Sequence, residues 1–261
     1  MSMRVLYASD YFSPKSADEA FAEEAGQLSK KGVNVSVANI DDVEANEPTP
    51  PLEVDDEVLY RGWMLDSDGY ASLERMILRF GAKPYTDLAG YLSTHHIPNW
   101  YPKLEDLTPE TVVVPLNADI EAALGELGWS SFFVKDYVKS LKTSMGSRID
   151  DPKQITQLVV EMEKYRGQVE GGLCVRRVED FEPDSEVRYF VLQGEPHSPT
   201  GEPVPPIVSE VASRIESRFF SVDVARRSDG SLRVVEIGDG QVSDLVGWSV
   251  ERFVGVLASA A

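Results

Sequence analysis

Cysteine and basic side chains are scarce in this chain of 261 residues. Its single cysteine, Cys174, cannot form an internal disulfide, which excludes a disulfide-stabilised fold and fits a reducing cytoplasm. Cys174 lies in the apolar run 173–175, and we interpret it as a small core residue rather than a nucleophile. The 25 lysines and arginines are outnumbered by 44 carboxylates, so the formal net charge is −19. Such a charge disfavours nucleic acid and anionic membranes as partners.

Long apolar runs and the patterns of covalent catalysis are also missing. No apolar run reaches the roughly 20 residues that cross a bilayer, and residues 1–7 lead into a strand-like run rather than a signal peptide. We therefore expect a soluble cytoplasmic protein with no membrane partner. Neither a serine–histidine–aspartate nor a cysteine–histidine arrangement stands out, so the sequence does not predict a covalent protein nucleophile.

The first half of the chain has the periodicity of an α/β domain. A strand over 5–8, a helix over 18–31 and a strand over 33–40 predict a β-α-β opening of a parallel sheet with a Rossmann-like start. The first turn, 10–15, has no glycine, so the dinucleotide fingerprint is absent. Residues 41–57 contain eight carboxylates and three prolines, which predict an exposed acidic loop. The further predicted segments are a strand over 58–60, a helix over 70–80, an interruption over 97–102 and a strand over 111–114.

The second half predicts an α+β arrangement with antiparallel strands. Helices are expected over 119–127 and 152–164, with Asp151 as the N-cap of the latter. A turn over 228–231 predicts a hairpin between the last two strands. The predicted strands cover 131–135, 173–178, 187–193, 219–224 and 232–237. The change of pattern near 103–110 divides the chain into a first domain, 1–105, and a second, 106–261, with subdomains of about 106–178 and 179–261.

One segment, 135–148, runs against the acidic background. It carries Lys135, Lys139, Lys142 and Arg148 against the single acid Asp136, a local balance of 4 − 1 = +3. A strand that ends in lysine, followed by a basic loop with hydroxyls and a glycine, suits phosphate, because ammonium groups, amides and hydroxyls all contact oxyanions. The Walker spacing is missing, and a solvated basic loop is the alternative.

Carboxylates on the last two predicted strands form a second candidate site. Asp223 and Glu236 each lie among apolar strand residues, and Asp239 follows three residues after Glu236. Converging carboxylates repel one another unless a proton, an arginine or a metal lies between them. Magnesium together with nucleotide phosphates is one explanation. The alternative is that one of the two strand carboxylates faces solvent.

A third candidate is the strand with Glu186 and Arg188 on one face, since residues two apart share a side of a strand. Arg188 can stabilise a transferring phosphoryl group or form a cross-strand salt bridge. In this order, the basic loop, the arginine strand and the carboxylate hairpin resemble the ATP-grasp superfamily, which includes D-alanine–D-alanine ligase and glutathione synthetase. The matching segments are 133–135 for the strand lysine, 186–188 for the arginine, and 222–224 and 235–237 for the first two metal positions.

The resemblance covers most of 105–250 and implies an ATP-grasp fold, α/β plus α+β, with a Rossmann-like pre-ATP-grasp lobe in front. It implies that Asp223 and Glu236 bind Mg²⁺. The family's asparagine after the glutamate is replaced by Gly238, so Asp239, Gln241 or water is expected as the further ligand. Lys139 and Lys142, the paired lysines, resemble a less studied clade found in bacteria and phages.

The resemblance also implies an adenine site at 173–178. Arg176 and Arg177 stand where an acid is more usual, so the adenine contact is expected from backbone groups around Arg177 and Val178. The ribose would meet a nearby acid, for which the candidates are Glu179, Glu182 and Asp184.

The activity implied by this resemblance is ATP- and Mg²⁺-dependent ligation of a carboxylate to an amine through an acylphosphate. Lys135, Lys139, Lys142 and Arg188 would contact the phosphates, with Lys135 and Arg188 offsetting the developing charge. The substrates would be a small-molecule or peptide carboxylate and an amine. Arg61 is a candidate for the substrate carboxylate, or else a surface arginine over a core tryptophan. The rival hypotheses are a phosphotransferase, a nucleotide-binding module without turnover, and a sheet protein whose charges form ordinary salt bridges.

Overall fold

The computed structural model describes residues 3–43, 46–138, 146–166 and 169–261. The strands are β1 Met3–Ala8, β2 Asn34–Ala38, β3 Glu57–Arg61, β4 Lys83–Pro84, β5 Thr111–Val114, β6 Phe132–Lys135, β7 Arg148–Ile149, β8 Leu173–Arg177, β9 Val187–Leu192, β10 Glu195–His197, β11 Phe219–Arg226 and β12 Leu232–Asp239. The helices are α1 Glu19–Lys30, α2 Ser67–Arg79, α3 Leu88–His95, α4 Ile97–Leu104, α5 Ile120–Glu126, α6 Ile155–Arg166, α7 Pro206–Arg214 and α8 Val250–Ala258.

The chain forms two compact units, each assembled from separate stretches of sequence. Unit 1 comprises Met1–Thr94, Val187–Asp223 and Gly238–Ala261, and unit 2 comprises His95–Glu186 and Val224–Ile237. The division passes through β11 and β12, whose sheet has the order β10-β9-β11-β12. These units follow compactness and differ from the consecutive domains 1–105 and 106–261, which stay a prediction.

Unit 1 contains the predicted parallel sheet, in the order β2-β1-β3-β4. Side chains alternate between its faces, so Val5 and Tyr7 of β1 pack in one core with α1 and α8, while Leu6 packs in another with α2. Asp18 caps α1 by accepting a hydrogen bond from the amide of Ala20. The β-α-β opening is therefore as predicted. The register places Tyr7 of β1 beside Arg61, the last residue of β3.

Unit 2 contains an antiparallel sheet in the order β5-β8-β6-β7. Phe132 and Val134 of β6 pack with α5 and α6 in one core. Period two therefore places Lys135 on the other face of β6, where the register sets it opposite Cys174 of β8. Asp151 forms a capping box with Gln154 in the turn before α6, as its position at the start of a predicted helix indicates.

Two predictions about the first half of the chain need correction. Residues 97–102 are not an interruption, because α4 runs through them: Pro98 occupies the first turn, where no amide donor is needed, and the buried Trp100 and Leu104 stabilise the helix despite Pro102. The acidic segment 41–57 is not uniformly exposed, since Asp56 is buried against Arg4. No helix in the described part of the chain is both long enough and apolar enough to cross a bilayer.

Candidate active site

Lys135 and Glu236 form an ion pair in unit 2. The Nζ atom of Lys135 lies 2.8 Å from Oε2 of Glu236, a residue of β12. The lysine side chain is only 4% exposed, whereas the glutamate side chain is 38% exposed. A buried ammonium group needs a counter-charge, and Glu236 supplies it while remaining open to solvent.

Arg176 supports the strand that carries Glu236. Its guanidinium is buried and donates to the carbonyl of Val235 and to the hydroxyls of Thr108 and Thr111. Burial lowers the pKa of Arg176 to about 10, and the negative charge of Glu236 opposes that shift. These contacts place Arg176 beneath β12, and its predicted contact with the nucleotide stays a prediction.

The remaining residues predicted near adenine and ribose lie along the chain after β8. Arg177 is exposed and its Nη1 lies 3.6 Å from a carboxylate oxygen of Glu110. Val178 is half-buried, and Glu179 contacts both Arg227 and Arg233, with a distance of 3.1 Å to the latter. Exposed Asp184 has a φ of 55°. Nothing in these contacts selects the ribose ligand, so Glu179 and Asp184 stay predictions.

Arg188 and Asp223 form a second ion pair, in unit 1. The guanidinium donates to both carboxylate oxygens, with Nε–Oδ1 at 2.8 Å and Nη2–Oδ2 at 2.6 Å. Asp223 is 3% exposed and Arg188 is 16% exposed. Nη1 of Arg188 also donates to the carbonyl of Asp244, and the indole of Trp248 donates to the carbonyl of Arg188. Two residues predicted from separate motifs therefore meet in a bidentate pair.

Asp239 lies at the end of β12 and is fully buried. Its carboxylate accepts hydrogen bonds from the backbone amide and the side-chain amide of Gln241, and from the hydroxyl of Thr94 at 3.5 Å. Burial raises its pKa to about 7, although these hydrogen bonds lower it. Its role as a metal ligand stays a prediction, and its protein contacts favour a structural role.

Arg61 is not the surface arginine that one interpretation of the sequence expected. Its side chain is 2% exposed and pairs with Glu24, while the neighbouring Trp63 is 53% exposed. All three guanidinium nitrogens donate to protein oxygens. These contacts disfavour its predicted role toward the substrate carboxylate. Lys139 and Lys142 lie outside the described residues.

Sequence reasoning missed two buried acids. Glu24 shares the apolar stripe of α1 with Phe21, Ala25 and Leu28, and a carboxylate at such a position signals a buried partner. Asp136, directly after Lys135, is fully buried and accepts from the backbone amides of Val138 and Glu170. Its position after an apolar strand offered no comparable signal. Among the described residues, no three histidines, cysteines or acids form a group that could bind a metal ion.

Known proteins with the same fold were found by structure. D-cycloserine synthetase DcsG superposes with a TM-score of 0.66 at 14% identity, covering 100% of this chain and 99% of its own. A RimK-domain ATP-grasp protein from Sphaerobacter thermophilus gives 0.65 at 14% identity, covering 99% and 98%. The macrocyclase MdnC from Microcystis aeruginosa, bound to its precursor peptide MdnA, gives 0.65 at 10% identity, covering 100% of each chain. No curated protein matches significantly.

The sequence also matches a family model. The model describes an ATP-grasp domain, family 3 of its clade, and covers residues 126–257, just over half of the chain; the protein therefore belongs to that family. Membership confirms the predicted ATP-grasp fold and the predicted class, an ATP-dependent ligase that uses ATP and Mg²⁺. The family model spans both ion pairs described above.

Proposed function

We propose that this protein joins a carboxylate to an amine, using ATP and passing through an acylphosphate. The observation that supports this most directly is the pairing of charges: each described cation assigned to phosphate contacts a carboxylate assigned to metal, Lys135 with Glu236 and Arg188 with Asp223. A protein without a nucleotide has to neutralise both sets of charges internally, and these two pairs do so.

The residues fit Mg²⁺ by the chemistry of their donors. Mg²⁺ prefers oxygen ligands and is commonly bound by one or two carboxylates together with substrate phosphates, so a cluster of three acids is not required. Glu236 and Asp223 would supply those carboxylates, with Asp239 as the weaker candidate for a third. When bound, the ion would neutralise phosphate charge.

In this proposal, Lys135 and Arg188 exchange their carboxylate partners for phosphate oxygens. Both cations then stabilise the charge that develops as an oxygen of the substrate carboxylate attacks the γ-phosphorus and ADP leaves. The amine nitrogen next attacks the carbonyl carbon and phosphate departs. Arg176 keeps the backbone before Glu236 in place through its bond to the Val235 carbonyl. The chain needs no covalent nucleophile, and buried Cys174, whose pKa burial raises to about 12, is unsuited to be one.

The carboxylate substrate is proposed to bind at the carboxyl edge of the parallel sheet of unit 1. Ligands of open α/β sheets bind beyond the carboxyl ends of the strands. Three exposed aromatic residues follow β1 and β3 there, namely Tyr11, Phe12 and Trp63. Such side chains suit a substrate with apolar groups, as amino acids and peptides have. MdnC and D-cycloserine synthetase are similar folds whose names indicate a peptide and a small molecule, so both kinds of substrate belong in a screen.

Nucleotide binding is the first step to test. Thermal melting would be followed with a non-hydrolysable ATP analogue, with Mg²⁺, with both and with neither. A ligand at 100 times its Kd should stabilise the native state by about 2.7 kcal/mol, and we expect the full shift only when both components are present. No shift at millimolar analogue and Mg²⁺ would contradict the proposal.

Turnover is tested next with the Glu236→Gln variant. Replacing a metal-binding carboxylate should reduce Mg²⁺-dependent ADP release at least 100-fold in the presence of mixed amino acids or peptides, an effect of about 2.7 kcal/mol on the barrier. Glu126→Gln, an exposed position at the end of α5, is the matched control and should leave ADP release unchanged. Equal turnover by the Glu236 variant and the control would exclude this metal assignment. Nucleotide binding without any ADP release would favour a binding module.

A further inference from the structure

A tight turn follows β12 in unit 1, and Arg61 binds three of its backbone carbonyls. Nη1 donates to the carbonyl oxygens of Gly240 at 3.0 Å, Gln241 at 3.1 Å and Ser243 at 3.1 Å. Residues 240–243 are here called the β12 turn. A single guanidinium nitrogen that meets three carbonyls of one turn fixes the path of that backbone.

Glu24 of α1 orients this guanidinium from the other side. Its carboxylate oxygens lie 2.9 Å from Nε and 2.9 Å from Nη2 of Arg61, and the hydroxyl of Tyr7 donates to the same carboxylate at 2.8 Å. Glu24 and Arg61 are both almost completely buried. Burial alone would lower the pKa of Arg61, but the negative charge and hydrogen bonds of Glu24 outweigh it and the pKa is raised. The guanidinium therefore keeps its charge inside the core, 4.7 Å from the ring centre of Phe253.

The residues on either side of Arg61 bind the same turn. The backbone amide of Tyr60 donates to the side-chain oxygen of Gln241 at 3.0 Å, and the amide of Gly62 donates to its carbonyl at 3.3 Å. A side chain at Gly240 would lie 2.7 Å from the ring of Phe219, so only glycine fits there. The end of β3 thus specifies one conformation of the β12 turn through both backbone and side chain.

We propose that Arg61, oriented by Glu24, is a positioning residue that holds the β12 turn in the conformation needed for metal and nucleotide binding. The inference rests on the proposed function, because the turn directly follows Asp239 and lies four residues after Glu236. A desolvated ion pair is an expensive way to gain stability, and the best-attested use of such pairs is to specify one geometry. This role replaces a contact between Arg61 and the substrate carboxylate, for which its nitrogens are already engaged.

The test combines hydrogen exchange without ligands and Mg²⁺ dependence with ATP. In Arg61→Met, amides of the β12 turn should exchange at least tenfold faster, while β6 and β8 keep their protection. The Mg²⁺ concentration for half-maximal ADP release should rise at least tenfold. Arg61→Lys, which keeps the charge but loses the fork, should lie between wild type and Arg61→Met.

Two further variants keep the test decisive. The double variant Glu24→Gln/Arg61→Met leaves no buried charge unpaired, so it should fold even if the single variant does not, and it should show the same local exchange. Arg218→Met removes a half-exposed arginine that pairs with Glu57 in the same unit, and it should change neither readout.

The outcomes separate the hypotheses. Unchanged exchange in the turn, with a raised KM for the carboxylate substrate alone, would overturn the positioning role in favour of a substrate contact. Faster exchange throughout unit 1 with an unchanged Mg²⁺ requirement would overturn it in favour of a general stabilising role. If wild type neither binds nor turns over nucleotide, the proposed function fails, while exchange in the turn still shows whether Arg61 holds it.

Discussion

The two ion pairs of the candidate site are built in opposite ways. In the Arg188–Asp223 pair the carboxylate is 3% exposed and the arginine 16%, with two hydrogen bonds between them. In the Lys135–Glu236 pair the lysine is 4% exposed and the carboxylate 38%, with a single bond of 2.8 Å. One pair therefore offers mainly its cation to an incoming ligand, and the other offers its carboxylate.

This difference matters for how each pair opens. Solvent can replace Lys135 around Glu236 at little cost, because that carboxylate is already partly hydrated. Asp223 has no such access, so moving Arg188 away requires another cation at the carboxylate. Glu236 is consequently the better candidate for the first metal contact, and Arg188 is the better candidate for a contact with phosphate.

The largest expected effect is on the buried pair. Arg188→Met leaves Asp223 buried without this arginine, and we expect a loss of about 3 kcal/mol in the free energy of unfolding. Urea denaturation of the variant and wild type would measure it. Adding Asp223→Asn to Arg188→Met should recover most of the loss, because the uncompensated charge is gone. Equal stabilities of the two variants would show that the charge of Asp223 is not what makes the arginine necessary.

Lys135→Met should have a smaller effect on stability and a specific one on binding. Glu236 can hydrate when its partner is removed, so we expect a change in unfolding free energy of about 1 kcal/mol or less. The Kd for the ATP analogue with Mg²⁺, measured by calorimetry, should rise about tenfold, which corresponds to about 1.4 kcal/mol. A loss of stability as large as that of Arg188→Met would erase the contrast between the two pairs, and an unaltered Kd would exclude the phosphate role.

The sequence predicted the parts of the fold that local pattern determines. The β-α-β opening, the strand that ends at Lys135 and the capping role of Asp151 follow from apolar periodicity and terminal residues, and the structure has them. Helix α4 was missed because its prolines argue locally against a helix, while the burial of Trp100 depends on residues far along the chain. The composition of the units was also beyond local pattern, because β11 and β12 are each divided between them.

The charge pattern predicted which residues matter better than it predicted what they contact. Lys135, Arg188, Asp223 and Glu236 were selected as phosphate and metal residues, and a cross-strand salt bridge was the alternative considered for Arg188. The structure shows such a bridge, to Asp223. Arg61 shows the limit of this reasoning, since its partner Glu24 lies 37 positions away and the three carbonyls lie about 180 positions away. Only the folded chain brings those groups together.

The smallest expected effect comes from His197, which contrasts with the paired cations. Partial burial and the charge of Arg252 lower its pKa below 6.5, against the opposing effect of Glu195. The unfolded state therefore binds more protons, so the stability that neutral His197 contributes is present above pH 6.5 and decreases as the pH falls through the native pKa. Urea denaturation between pH 5 and 7 should give a shallower pH dependence for His197→Gln than for wild type. Parallel curves would assign the acid sensitivity to other groups, because His95 and His96 are retained in both proteins.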